Sequence, residues 1–160
     1  MKQNVVGFRK TIGKEEVREL PVYIFPGEIV VVEDADSADI VANQLRECKL
    51  LGFDTATRPS FRKGEFHHVS LIQLATEDVV YLFRINKCGF RPALRQLFSD
   101  EKVIKAGVGI VNDLRGLRKM ARFSPASFVE LQDYAGKCGI EDKSFSRLMA
   151  IIFGVRISKG

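Results

Sequence analysis

Apolar residues in this chain gather into short runs, and the character of the runs changes halfway along. Ile29-Val30-Val31-Val32 and the stretch from residue 50 to 55, opening Leu50-Leu51-Gly52-Phe53, are apolar segments of strand length and read as buried strands. Residues 69–75 form another strand, with Ser70 and Gln73 set among apolar positions. Residues 79–83 follow across the turn Thr76-Glu77-Asp78, and so short a connection makes these two strands antiparallel neighbours. Between the first two runs, Asp36 or Ser37 caps a helix carrying Val41, Leu45 and Cys48 at helical spacing. Downstream the pattern predicts a helix over 91–98, a strand over 103–106, and a helix over 111–121 with Leu114, Leu117 and Ala121 on one side. A strand over 127–131 and helices over 132–138 and 144–153 close the chain. A β-meander followed by alternating helices and strands predicts an α/β fold, a mixed sheet flanked by helices.

Residues 1–27 read as an N-terminal extension, with a short helix over 13–20 stopped by Pro21 and a turn at Pro26-Gly27. Residues 28–160 then form the domain proper. It ends on the polar segment Val155 to Gly160 and reads as incomplete at the C-terminus, so exposed apolar surface, marginal stability or self-association is expected. With 46% hydrophobic and 28% charged residues in 160, the chain has the means to bury a core. No apolar run approaches the roughly 20 residues that span a bilayer, and none forms a signal-peptide core, so a cytoplasmic location without a membrane partner is expected. Cys48, Cys88 and Cys138 are widely spaced and read as buried thiols, not as a zinc site or disulfide frame. The net charge of +5 suits a polyanionic partner.

Two segments carry candidate chemistry. Leu50 to Phe53 drives into a lone acid, Asp54, and Ala56 stands two places on, on the same strand face. An Asp-x-Glu there would aim two carboxylates at one point, the arrangement that holds a hard divalent cation. This chain sets a methyl group at the second position. The other segment is Lys105-Ala106-Gly107-Val108-Gly109-Ile110-Val111-Asn112-Asp113-Leu114, a strand that passes two glycines into a helix. A dinucleotide loop is disfavoured, because Asn112 holds the place of the third glycine and no acid follows at the required spacing. Asp113 suits the helix dipole, and by itself reads as a structural first-turn acid before it reads as a candidate ligand. Arg58, Arg62 and Lys63 form a basic loop suited to phosphate, with Phe61 beside it to stack a terminal base. Arg115, Arg118, Lys119 and Arg122 recur along the helix as a solvated or substrate-lining face. Thr55 and Thr57 point away from Asp54 as packing residues, Gln73 reads as a satisfied core amide, and His67-His68 as polar surface.

Phe-Asp-Thr-x-Thr-Arg-Pro-Ser-Phe at 53–61, Val-Ser-Leu-Ile-Gln-Leu-Ala at 69–75 and Gly-Val-Gly-Ile-x-x-Asp-Leu at 107–114 together resemble the 3′–5′ exonuclease domains of the DEDD superfamily. The branch is that of ribonuclease D and the Werner-syndrome exonuclease, and the resemblance covers residues 30–155. It implies a ribonuclease H-like fold, with a mixed sheet whose first three strands are antiparallel. It also implies hydrolysis at the 3′ end of single-stranded DNA or RNA by two Mg²⁺ or Mn²⁺ ions about 4 Å apart, held by four carboxylates. By position, Asp54 matches the first acid, Ala56 replaces the glutamate, and Asp113 matches the next aspartate. The last motif, Tyr-x-x-x-Asp, is not found: Tyr23, Tyr81 and Tyr134 lead to Gly27, Ile85 and Cys138, and the histidine variant fails at His67 and His68. Two such ions repel by about 16 kcal/mol at an effective dielectric of 20, and two carboxylates leave about two positive charges uncompensated. The expectation is therefore an exonuclease domain that is inactive or strongly impaired, holding one metal ion weakly or none. Its rival is a non-catalytic nucleic-acid-binding module of the same fold, followed by a plain protein-interaction domain.

Overall fold

The computed structural model describes residues 7–57, 63–64 and 68–158. The chain divides into two compact units, Pro26–Val129 and the paired end segments Met1–Phe25 with Glu130–Gly160. The expected division at 27/28 separates the N-terminal segment from everything after it. The structure instead groups that segment with the C-terminal one.

Six strands form one sheet: β1 (Glu28–Val32), β2 (Leu50–Thr57), β3 (Val69–Ala75), β4 (Val79–Arg84), β5 (Ile104–Gly107) and β6 (Phe128–Glu130). Their order is β1-β4-β3-β2-β5-β6. The antiparallel set is β2-β3-β4, whereas β1 pairs parallel to β4 and β5 parallel to β2. The antiparallel trio thus begins at the second strand. Nor is β1 buried throughout: as an edge strand it alternates, with Val32 buried and Ile29 and Val31 exposed. An unbroken valine run carries no sign of which strand ends at the edge of a sheet.

The helices of this unit are α2 (Ala35–Leu45), α3 (Ile85–Cys88), α4 (Pro92–Phe98) and α5 (Ile110–Met120). Asp34, not Asp36 or Ser37, caps α2, its carboxylate accepting the Ser37 N–H at 2.9 Å. The buried face of α2 is Ala38, Ala42 and Leu45; Cys48 falls beyond the helix end. The four-residue α3 was too short for a periodic signal. Buried residues of α2 to α5 join Val32, Leu51, Phe53, Ile72, Leu74 and Phe83 of the strands in one core, on one face of the sheet. Phe53 packs edge-on to Phe98 and Phe128 at its centre. The opposite face presents the row Val31, Leu82, Gln73 and Asp54. Gln73 is therefore not a core amide but the cross-strand neighbour of Asp54. Of the cysteines, Cys88 is buried, Cys48 half-buried and Cys138 exposed, so the expectation of three buried thiols fails at Cys138.

One charged side chain lies wholly inside. Lys105 on β5 is fully buried, its Nζ donating to the carbonyls of Leu97 (3.2 Å) and Asp100 (3.0 Å) beyond the end of α4 and standing 5.0 Å from the Phe128 ring centre. It ties β5 to the chain around the end of α4 through the Leu97 and Asp100 carbonyls, which also accept the Asp100 and Val103 N–H groups at 3.3 Å.

In the end-segment unit, α1 (Lys14–Glu19), α6 (Leu131–Lys137) and α7 (Phe145–Phe153) bring Ile12, Ala135, Ile140 and Leu148 out of solvent. Arg147 donates to the Ile12 carbonyl and pairs with Asp142, and Val22 forms a bridge with Arg156. No helix among the described residues is long and apolar enough to cross a membrane.

Burial pushes the Lys105 ammonium down to about 8 from 10.5, against the opposing pull of Asp100. Because the folded pKa lies below the unfolded one, folding stability rises as pH climbs through that window, by at most about 3 kcal/mol. Lys105→Met is expected to flatten this rise in isothermal denaturation between pH 7 and 10.5. Identical pH slopes for the two proteins would show that Lys105 is not held charged in the core.

Candidate active site

The site is built where β2 ends and α5 begins. A Cβ on Gly107 would stand 2.4 Å from the Phe53 carbonyl oxygen and 3.1 Å from Ile110 Cγ2, so only glycine lets β5 pass this close to β2. Gly109 then takes a left-handed conformation, φ 71°, as the N-cap of α5. The two glycines thus serve backbone geometry. They start α5 where Asp113, in its first turn, reaches β2. Gly116, whose Cβ would lie 3.0 Å from Val69 Cγ2, keeps the next turn of α5 close to β3.

Asp113 meets the strand through Thr55. The Thr55 hydroxyl donates to Asp113 Oδ1 at 2.7 Å, and Asp113 Oδ2 is buried. Thr55 also donates its backbone N–H to Asp54 Oδ1 at 2.9 Å. One residue therefore holds both acids, one by its hydroxyl and the other by its peptide. The pleat places Asp54 on the outer sheet face with Gln73 opposite, while Asp113 approaches from the helix side. Thr55 was legible in the sequence only as packing, and its link to a residue 58 positions away has no local signature.

Asp54 is exposed as a residue, but burial of its carboxyl raises the pKa above the ordinary aspartate value, with the Thr55 N–H opposing. Desolvation thus disfavours the ionised form more than the Thr55 N–H favours it. Ala56 is exposed one pleat further on and faces Leu71 on β3; its carbonyl accepts from Ser70 Oγ at 3.3 Å. Among the described residues no cluster of three or more acids, histidines or cysteines suits a metal ion. Asp54 and Asp113 with a methyl group at 56 do not match the donor set a pair of divalent ions requires. Of the expected nucleic-acid contacts, Lys63 is exposed in a turn, whereas Arg58, Phe61 and Arg62 lie outside the described residues, as does His67. His68 is exposed.

Comparison with known proteins shows the family. Residues 29–160 match the 3′–5′ exonuclease family. The chain is 32% identical over 149 residues to the bifunctional 3′–5′ exonuclease/ATP-dependent helicase WRN of Mus musculus, an alignment covering 88% of this chain and 11% of that protein. Among solved structures it resembles the Nibbler EXO domain of Aedes aegypti, with a TM-score of 0.72 and 21% identity over 82% of this chain and 71% of that one. It also resembles ribonuclease D of Trypanosoma brucei in complex with RNA U12, with a TM-score of 0.61 and 18% identity over 68% of this chain and 39% of that one. Likeness at these identities extends to the fold. The chain spans a small part of its curated relative's length.

Two substitutions probe the arrangement. Raising the folded pKa of an acid makes its ionisation cost stability, so stability present at low pH is lost as pH rises through the folded pKa. Asp54→Asn is therefore expected to melt at an equal or higher temperature than the parent at pH 7 by scanning fluorimetry, and a drop of several degrees would give Asp54 a structural role instead. Thr55→Val removes the hydroxyl from Asp113 and is expected to lower unfolding free energy by about 1–3 kcal/mol in urea titration. No loss would mean the Thr55–Asp113 contact is not formed in solution.

Proposed function

The chain belongs to the 3′–5′ exonuclease family, and from that we propose that it holds the 3′ end of a single-stranded nucleic acid at the β2–α5 edge with hydrolysis absent or strongly impaired. The observation that carries this reading is Ala56, an exposed methyl group on the same strand face as Asp54. Family resemblance assigns that position a carboxylate, and divalent ions with phosphate are the chemistry such a carboxylate serves when present. With Asp54 and Asp113 as the acids at this edge, at most one weakly held ion fits their charge. Nucleic-acid affinity does not require the pair: positively charged side chains and backbone donors contact phosphates without it. RNA in the Trypanosoma brucei neighbour supports a nucleic-acid ligand for this fold. The same edge in a non-catalytic binding module is favoured by the same methyl group, and turnover separates the two.

The test uses a 3′-labelled single strand and Mn²⁺. The unaltered protein is expected to bind the strand and leave its length unchanged, and Ala56→Glu to tighten Mn²⁺ binding at least tenfold by isothermal titration, a gain of about 1.4 kcal/mol. Efficient trimming by the unaltered chain would overturn the impairment. Unchanged Mn²⁺ affinity in Ala56→Glu would remove position 56 from the site.

A further inference from the structure

We propose that the outward side of α5 and the adjoining end of α4 form a second phosphate-binding track, which takes the sugar–phosphate backbone of the strand upstream of its 3′ end. This rests on the nucleic-acid reading above and adds a surface that the acids do not touch. Three adjoining grooves carry it. The first, about 630 Å³, runs along α5 and includes Arg115, Arg118 and Lys119; the second, about 430 Å³, shares Arg118 and adds Arg122 and Phe123. The third, about 320 Å³, shares Arg122 and Phe123 and reaches Arg95 on α4. The five cations thus lie along one continuous band, and no acid is among the described residues that line it.

Several arginines and lysines elsewhere are ion-paired. Arg9 pairs with Glu16, Arg46 with Asp100, Arg84 and Lys87 with Glu33, and Arg91 with Asp39. On the band, Arg118 and Arg122 are exposed and form no ion pair with a described residue, and Arg115 is engaged only by the Asn112 side chain. Arg95 adds a buried Nε with no hydrogen-bond partner. Arg118 and Arg122, like charges without an ion partner among the described residues, cost folding free energy when held close together, and a polyanion removes that cost. Four of the five are arginines, whose planar donors match phosphate oxygens in pairs. Spacing also fits: Arg115, Arg118 and Lys119 stand at i, i+3 and i+4 and rise about 6 Å along the helix axis. Asp113 lies on the flank of α5 that faces β2, and the basic side lies around the helix from it. A strand ending at Asp54 and Asp113 therefore passes over the first turn of α5 to reach the band.

Fluorescence anisotropy with a 3-nucleotide and a 16-nucleotide single strand tests this. Arg118→Glu/Arg122→Glu is compared with Lys10→Glu/Lys14→Glu, which changes net charge equally at exposed positions of the other unit. Circular dichroism melts establish that both variants fold. The band predicts at least a thirtyfold loss for the 16-mer in the first variant alone, little change for the 3-mer, and a salt slope shallower by about 1.4 for two lost phosphate contacts. Equal losses in both variants, or competition by polyglutamate as effective as by nucleic acid, would overturn the track. So would unchanged 16-mer affinity in Arg118→Glu/Arg122→Glu, with the nucleic-acid reading left standing. Failure of the unaltered chain to bind either strand at low salt would remove both.

Discussion

The close passage of β5 across β2 governs everything that follows it in the chain. At Gly107 there is no room for a side chain between the β5 backbone and the Phe53 carbonyl, and Ile110 closes the other side. The turn into α5 is then made by Gly109 in a left-handed conformation, which fixes the helix direction. From this follow the position of Asp113 against Thr55 and the outward aim of the arginines further along. Lys105, two residues before Gly107, anchors the same strand from below by capping the end of α4. A buried ammonium held by backbone carbonyls is a stiff tether, because losing those acceptors leaves its own charge buried and unpaired. The acid edge and the α5 part of the basic band are therefore two outcomes of one backbone constraint.

Thr55 gives that edge its character. Its hydroxyl and its peptide N–H each hold one of the two acids, so both carboxylates are oriented by a neutral residue. Hydrogen bonds from one strand residue thus orient the two acids at this edge.

Much of this was legible in the sequence. The bounds of β3, 69–75, follow from its apolar run alone, and the α5 start from two glycines and an acid. The exposed edge of β1 was not legible, since a valine run reads the same at the centre and the rim of a sheet. Gln73 was misjudged because β3 is amphipathic in a way that depends on its partner: only the register with Asp54 puts it on the outer face. Thr55 and Lys105 escaped for a common reason. Each gains its meaning from a partner in another element, and no spacing rule reaches that far. The helix cap was missed by two positions because Asp34, Asp36 and Ser37 all have the right chemistry, and only the backbone angles choose among them.

The bridge between Val22 and Arg156 has a consequence for how the protein is made. Residues 26–129 form their unit from consecutive chain. The segment ahead of them finds its hydrogen-bonding partners on residues synthesised roughly 130 positions later, on the order of ten seconds at ordinary elongation rates. During that interval this segment is without its partners, and nascent-chain chaperones have a defined window in which to meet it.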